Sequence, residues 1–379
     1  MRLLNTSSLI LESFLGDEKP PYAILSHTWE PEGEFLFDDL MRTPREDYPS
    51  RPGYPKVKNT CHRALQDGHQ YVWIDTCCID KNSSAELSEA INSMFRWYED
   101  SRICYAFLSD VADGKATFVK SRWFSRGWTL QELIAPNQVN FMNASWQDLD
   151  DRVTLADQIT TTTGIDRKIL ARNHRQASYA LYDFSIAQRM KWASKRHKSR
   201  TEDSAYCLMG LFDVNMPLLY GEGNRAFRRL QEVIINESAD HSILAFRSLV
   251  SSFRSSWTFS AVLAPYISYF CEDILQEWAS NYEPQRMQNG NISLVAHVAK
   301  LETAQEGIVH PCAPSHIAFL DCMFEDDYVS RPAILLKQVS SGVYKRCSEG
   351  SYPMLLIASS NSQGQYARIL GRKHPFPSK

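Results

Sequence analysis

Residues 121–133, SRWFSRGWTLQEL, place two tryptophans, two arginines and one carboxylate within thirteen positions. At about 100° per residue, a helix here gathers Leu130, Leu133 and Ile134 into an aliphatic stripe. Trp128, Gln131, Glu132 and Ala135 then lie roughly opposite. A carboxylate one turn from an indole can act as a general base, or can stabilise positive charge developing on a sugar as a glycosidic bond breaks. An indole offers a stacking surface to a nucleobase or nicotinamide ring, and an arginine suits phosphate. The same spacing also fits a solvated helix face, or an ion pair between Glu132 and a neighbouring arginine such as Arg126. Spacing alone leaves these readings open.

What could bring further groups to Glu132 is the alternation of strands and helices around it. YAILSHTWE starts as an apolar run at Tyr22 and ends in Ser26, His27 and Thr28, a short buried strand delivering polar groups at its carboxyl end. Residues 30 to 55 hold five prolines and two glycines and read as a long irregular excursion. Val57, Cys61, Ala64 and Leu65 recur at helical spacing, with Gly68 placed to stop the helix. YVWIDTCCI follows as a second strand. Ser83 and Glu86 fit a capping box ahead of the stripe Leu87, Ile91, Met94, Phe95 and Tyr98. ICYAFLSDV and QVNFM give a third and a fourth strand, separated by the Trp128 to Glu132 helix, which Pro136 ends.

Such alternation predicts an α/β fold, a parallel sheet flanked by helices, with functional groups outside the carboxyl ends of its strands. Ser26, His27 and Trp29, then Asp75, then Ser109 and Asp110, would meet there beside Glu132. For His27 a hydrogen-bonded structural role fits as well as catalysis. The expected organisation is an α/β domain over 1–150, a helical segment over 151–245 packing on it, and a β-rich region over 246–379. The basic run MKWASKRHKSR in the middle segment reads as a solvated helix face.

Composition narrows the function classes. Lys+Arg 41 against Asp+Glu 44 gives a net charge of −3, so no positive field draws the chain to nucleic acid or anionic lipid. No window approaches the apolar length of a membrane span, and the expected location is cytoplasmic. The nine cysteines, without a CxxC pair, read as buried free thiols, and no structural metal is implied. Ser26 beside His27 is not a nucleophile and base arrangement, because strand neighbours point to opposite faces. There is no GxSxG elbow and no GxxxxGK[ST] loop, and YGEGN lacks the third glycine and the preceding strand of a phosphate loop.

YAILSHTWE, YVWIDTCCIDK, SEAINSMFRWYEDSRICYAFLSDV and SRWFSRGWTLQELIAPNQVNFM, in this order, resemble the successive blocks of the fungal heterokaryon incompatibility (HET) domain. EDSAYCLMGLFDVNMPLLYGEGNRAFRRLQEVI resembles the segment that commonly follows, so the likeness covers roughly residues 22 to 245. It implies an effector of cell death after fusion of incompatible hyphae, with self-association and an incompatibility partner protein. HET domains are in turn similar to TIR domains, which implies a TIR/flavodoxin-like sheet. Enzymatic TIR domains cleave NAD between nicotinamide and ribose with a glutamate on the helix after the third strand, where Glu132 stands here. On that likeness Glu132 is the catalytic residue. Trp128 stacks on the ring, and Ser26, His27, Trp29, Asp75 and Arg126 line the cleft. NAD is then a substrate, with no cofactor and no metal. The alternative is a non-catalytic module that signals by self-assembly, with Glu132 and Arg126 as an ion pair and Trp128 as an interface anchor.

Overall fold

The computed structural model describes residues 1–16, 18–112, 115–172 and 176–246, then 263–264, 266–270, 315–320 and several separate strands between 257 and 370. Its contacts divide the chain into two units, Met1–Asp183 with Arg196–Gly221, and Phe184–Lys195 with Glu222–Lys379. The stretch 151–245 contributes to both.

The first unit is built on a seven-stranded sheet. Its strands are β1 (Arg2–Asn5), β2 (Leu11–Ser13), β3 (Ala23–His27), β4 (Tyr71–Trp73), β5 (Ile103–Phe107), β6 (Val139–Met142) and β7 (Asp148–Asp151), in spatial order β2-β1-β4-β3-β5-β6-β7. The inner strands β4, β3, β5 and β6 run parallel. β1 and β7 flank them antiparallel. Within the parallel set the chain visits β3 first, β4 on one side, then β5 and β6 on the other. That reversal is a topological switch point, and open α/β sheets bind ligands outside the carboxyl ends of the strands at such a point, here β3 and β5.

β3 and β5 are buried along their whole length, as their unbroken apolar runs require of strands covered on both faces. Helices α1 (Phe37–Arg42) and α2 (Tyr54–Gln66) lie between β3 and β4, α3 (Ser84–Asp100) between β4 and β5, and α4 (Thr129–Ile134) between β5 and β6. Tyr105 on β5 donates to Asp67 just past α2 at 2.6 Å, while the preceding Cys104 directs its Sγ to the Glu132 carbonyl of α4 at 3.9 Å. Adjacent strand residues point oppositely, so α2 and α4 cover opposite faces. Ser83 caps α3 by accepting from the Glu86 amide at 3.3 Å, as its position in the sequence predicts. The Glu86 carboxylate reaches the Asp80 amide at 2.9 Å and pairs with Arg2.

Two expectations are corrected. The excursion over 30–55 is not irregular throughout, because it contains α1 and a 3₁₀ turn over Arg45–Ser50. Phe35 packs on Tyr48 and Tyr54 at ring distances of 5.0 and 5.4 Å, a small aromatic core that gives the excursion its own burial. Nor does α4 present an open polar face, since every residue from Thr129 to Ile134 is buried. α3 covers the face expected to be open, where Gln131 reaches the Met94 sulfur at 3.1 Å. The carboxyl end of α4 is held by Arg152, 1% exposed, which donates to the carbonyls of Leu133, Pro136, Asn137 and Leu170 at 2.7–3.0 Å. The guanidinium thus neutralises the orphan carbonyls at the negative helix end.

In the second unit Ser185 and Gln188 form a capping box at the helix Ile186–Ser194. The amphipathic helix Arg225–Glu237 buries Phe227, Leu230 and Ile234. Gln231 on that helix holds Ala264 through both its amide groups, at 2.8 and 2.9 Å. Beyond 250 the described elements are almost all antiparallel strands, led by His297–Lys300, His316–Phe319, Arg331–Ser340 and Val343–Glu349. This is the expected β-rich region.

Cys61, Cys77, Cys78, Cys104 and Cys207 are buried thiols, as expected. No helix among the described residues is long and apolar enough to cross a membrane.

Candidate functional site

The switch point at the ends of β3 and β5 has a buried floor and a polar rim. On the floor, Ser26 of β3 is fully buried and lies against α4. Trp123, which precedes α4, donates its indole N–H to Ser26 Oγ at 2.8 Å. Ser26 in turn donates its single hydroxyl hydrogen to Glu132 Oε2. Tyr98 of α3 also hydrogen-bonds the carboxylate, and its hydroxyl lies 2.9 Å from the Leu25 carbonyl, so its one hydrogen faces two acceptors. Burial pushes the Glu132 pKa up to about 8, the Asp75 charge adds to the rise, and the hydrogen bonds from Ser26 and Tyr98 oppose it.

The rim is a chain of acid and base groups. Asp75, in the turn after β4, accepts from Trp29 Nε1 at 3.1 Å and bonds His27 Nε2 at 2.9 Å. Lys81 lies 3.5 Å from the same carboxylate and 3.7 Å from the centre of the Trp29 ring. Burial alone would raise the Asp75 pKa, but Lys81, His27 and Trp29 together hold it well below the usual carboxylate range. On its other side His27 Nδ1 is 2.9 Å from Lys56 Nζ, which pairs with Glu34 at 2.7 Å. An ammonium can only donate, so Nδ1 accepts and the imidazole carries its hydrogen on Nε2, facing Asp75. The Lys56 and Glu34 side chains are 7% and 4% exposed, a buried ion pair that ties the excursion to the end of β3. Next to it Arg122 joins Glu30 at 2.6 Å and Thr28 Oγ1 at 3.1 Å, and Ser109 donates to Glu30 at 2.6 Å.

The structure thus joins Ser26 to Glu132, and His27 and Trp29 to Asp75. It does not place the remaining two expected site residues in these networks. Trp128 stands at the amino cap of α4 and hydrogen-bonds Asp203, and Arg126 donates to Ser199 Oγ at 3.0 Å. Both precede Thr129, the first residue of α4. Tyr98, Trp123, Lys56, Glu34 and Lys81 belong to the site but were not among the expected site residues; Tyr98 reads from sequence as part of the apolar stripe of α3, and Glu34 as part of the excursion. Only the carboxyl-end position of Lys81, just past YVWIDTCCID, carried a signal for it.

A separate cavity of about 910 Å³ opens at the other edge of the sheet, lined by Tyr22, Ser101, Arg102, Gln138, Arg152 and Arg172 among others. Tyr22, Ser101, Arg102 and Gln138 directly precede the parallel strands β3, β5 and β6. Arg152 and Arg172 there are engaged with backbone carbonyls between 133 and 170.

Within this open α/β unit, residues 22–119 match the family model described as Heterokaryon incompatibility protein (HET). The match takes in Ser26, His27, Trp29 and Asp75 and stops before α4. The chain is also 46% identical over 226 residues to "Vegetative incompatibility protein HET-E-1" of Podospora anserina. That alignment covers 57% of this chain and 16% of the relative, so the chain spans only a small part of the relative's length. No solved structure is similar to it at a significant level.

Proposed function

We propose that the chain is an effector of fungal heterokaryon incompatibility, acting in the cytoplasm to bring about cell death, and that its chemistry is cleavage of NAD between nicotinamide and ribose by a TIR-like domain. The family match and the named relative support the first part. The observation that carries the second is Glu132, a carboxyl group at the topological switch point of the sheet with its pKa raised to about 8. A strongly perturbed acid at such a position is a candidate for a functional group. In this reading Glu132, once ionised, stabilises positive charge developing on the ribose as the glycosidic bond breaks. Ser26 orients the carboxylate. The half-exposed Trp29 indole offers a stacking face, Lys81 and Arg122 supply cations for the diphosphate, and His27 with Asp75 shapes the rim. Arg126 and Trp128 flank Glu132 along the chain. Self-association, and pairing with another incompatibility protein, complete the proposal.

A second reading, a non-catalytic module that signals by self-assembly, is favoured by one observation. Glu132 is only 7% exposed, with its carboxyl group held by Ser26 and Tyr98. The experiment that separates the two is NAD consumption by the purified chain, wild type against Glu132→Ala, at low and high protein concentration. Consumption that grows with concentration and vanishes in the variant supports the hydrolase. Intact NAD at every concentration of folded wild type leaves the self-assembling module.

A further inference from the structure

The basic run that reads as a solvated helix face contains one arginine that is not solvated. Arg196 is 6% exposed. It follows the helix Ile186–Ser194, on a short segment zipped to the turn before α4: Gly127 donates to the His197 carbonyl at 2.9 Å, and the His197 amide bonds the Ser125 carbonyl. A β-carbon on Gly127 would come within 2.9 Å of Lys198 and 3.3 Å of the Cys207 sulfur, so the close approach depends on that glycine.

This segment aims the Arg196 side chain at α4. Its Nη1 donates to the Arg126 carbonyl at 2.9 Å and to Thr129 Oγ1 at 3.0 Å. Its buried Nη2 has no hydrogen-bond partner among the described residues. Thr129 and Glu132 are three residues apart on α4, and residues at that spacing are neighbours on one helix face. The idle donors of a buried guanidinium therefore lie within about one turn of the buried carboxyl. An unsatisfied donor in such a place is costly unless another state of the molecule uses it.

We propose that Arg196 is a positioning residue for Glu132, supplying through Nη2 the counter-charge that the carboxyl takes up when it ionises. The other groups around Glu132 do not serve. Ser26 and Trp123 are neutral. Tyr98 of α3 and Cys104 of β5 have their pKa values pushed upward by burial and stay neutral, and Asp75 beyond β4 repels a second negative charge. Arg126 also attracts the charge through space, but its Nη1 donates to Ser199 rather than to the carboxyl. The guanidinium of Arg196 responds in kind: burial lowers its pKa to about 10, and the Glu132 charge is among the influences that oppose that fall. The catalytic consequence rests on Glu132 being the reactive carboxylate, whereas the pairing itself does not.

The test follows the infrared C=O band of the protonated carboxyl, assigned as the band that Glu132→Gln removes, through a pH titration of the full chain. Wild type is expected to lose the band around pH 8. In Arg196→Met the acid dissociation constant of Glu132 is expected to fall roughly ten- to a thousandfold, with Arg196→Lys closer to wild type. A folded Arg196→Met that titrates with wild type overturns the pairing. If that variant does not fold, arginine guanidinium bands in the wild type must shift as Glu132 ionises and stay fixed in Glu132→Gln; fixed bands in both overturn the proposal. A shifted titration in a protein that leaves NAD intact keeps the pairing and removes the proposed activity. NAD turnover with an unmoved titration does the reverse.

Discussion

Ser26, at the end of the central strand, donates its only hydroxyl hydrogen to Glu132, 106 residues later in the chain, while Trp123 donates to Ser26. The Trp123 bond cannot reverse, because an indole nitrogen is a donor only, and the serine donates its hydrogen to the carboxyl whenever Glu132 is ionised. The relay fixes one carboxyl oxygen of Glu132 and leaves its ionisation to the groups around it. Each of the following outcomes depends on that arrangement.

Glu132 makes stability depend on pH in an unusual sense. Its folded pKa of about 8 lies above its ordinary value of 4.5, so the folded chain binds the extra proton between those values. The stabilisation is fully present below about 4.5 and is lost as pH rises towards 8. Urea unfolding of wild type against Glu132→Gln should show this as a difference that changes by up to about 1.4 kcal/mol per pH unit in that window. A difference that is flat from pH 5 to 8 would mean the carboxyl is ionised throughout.

Asp75 titrates in the opposite sense. Its folded pKa is depressed, so its contribution is present above the ordinary aspartate range and falls away in acid. Asp75→Asn removes that acid-side loss and weakens the hold on Trp29. Trp29 is half-exposed, and its emission should move to longer wavelength in Asp75→Asn while the fold is retained. An unchanged spectrum would show that the Trp29 to Asp75 hydrogen bond does not hold the ring.

The Glu34 to Lys56 pair should behave as a buried charge pair. Lys56→Met leaves Glu34 buried without its partner and is expected to cost about 3–5 kcal/mol. The double variant Lys56→Met with Glu34→Gln should recover most of that loss in chemical denaturation. Additive losses would show that the two side chains do not interact.

Gly53 holds the excursion against α2. Its φ is +73°, and a β-carbon there would meet the Phe35 amide nitrogen at 2.4 Å and the backbone of Glu34 at 2.8 Å. Gly53→Ala therefore displaces Glu34 from Lys56 and should destabilise the chain by about 2 kcal/mol or more, measured by thermal unfolding. Wild-type stability in this variant would place the excursion's anchor elsewhere.

Much of the α/β framework is written locally. The Ser83 cap, the stripe Leu87, Ile91, Met94 on α3, and the unbroken apolar runs of β3 and β5 each need only a few neighbouring residues to be read. The alternation of these elements then fixes where the strand ends meet, which is why Ser26, His27, Asp75 and Glu132 could be named together. The hairpin of β1 with β2 was not legible, because two short strands at the edge carry little periodic signal. The partners within the site depend on distant pairing. Nothing around Lys56 or Glu34 shows that a lysine and a glutamate 22 residues apart are buried together. Trp128 precedes the first residue of α4, and the hydrogen bond of its indole to Asp203, 75 residues on, is set by distant pairing that no local pattern shows. Arg196 lay inside a run whose charge pattern is that of any solvated face, and only the contact with the 125–127 turn reveals its burial.

The most direct test of the central claim is the pH dependence of NAD consumption by the purified chain at high protein concentration, with Glu132→Gln measured beside it. The account predicts a rate that climbs with pH as Glu132 ionises and levels off above about 8, and background consumption in the variant at every pH. Folded wild type that leaves NAD intact from pH 6 to 9, or a Glu132→Gln protein as active as wild type, would contradict it.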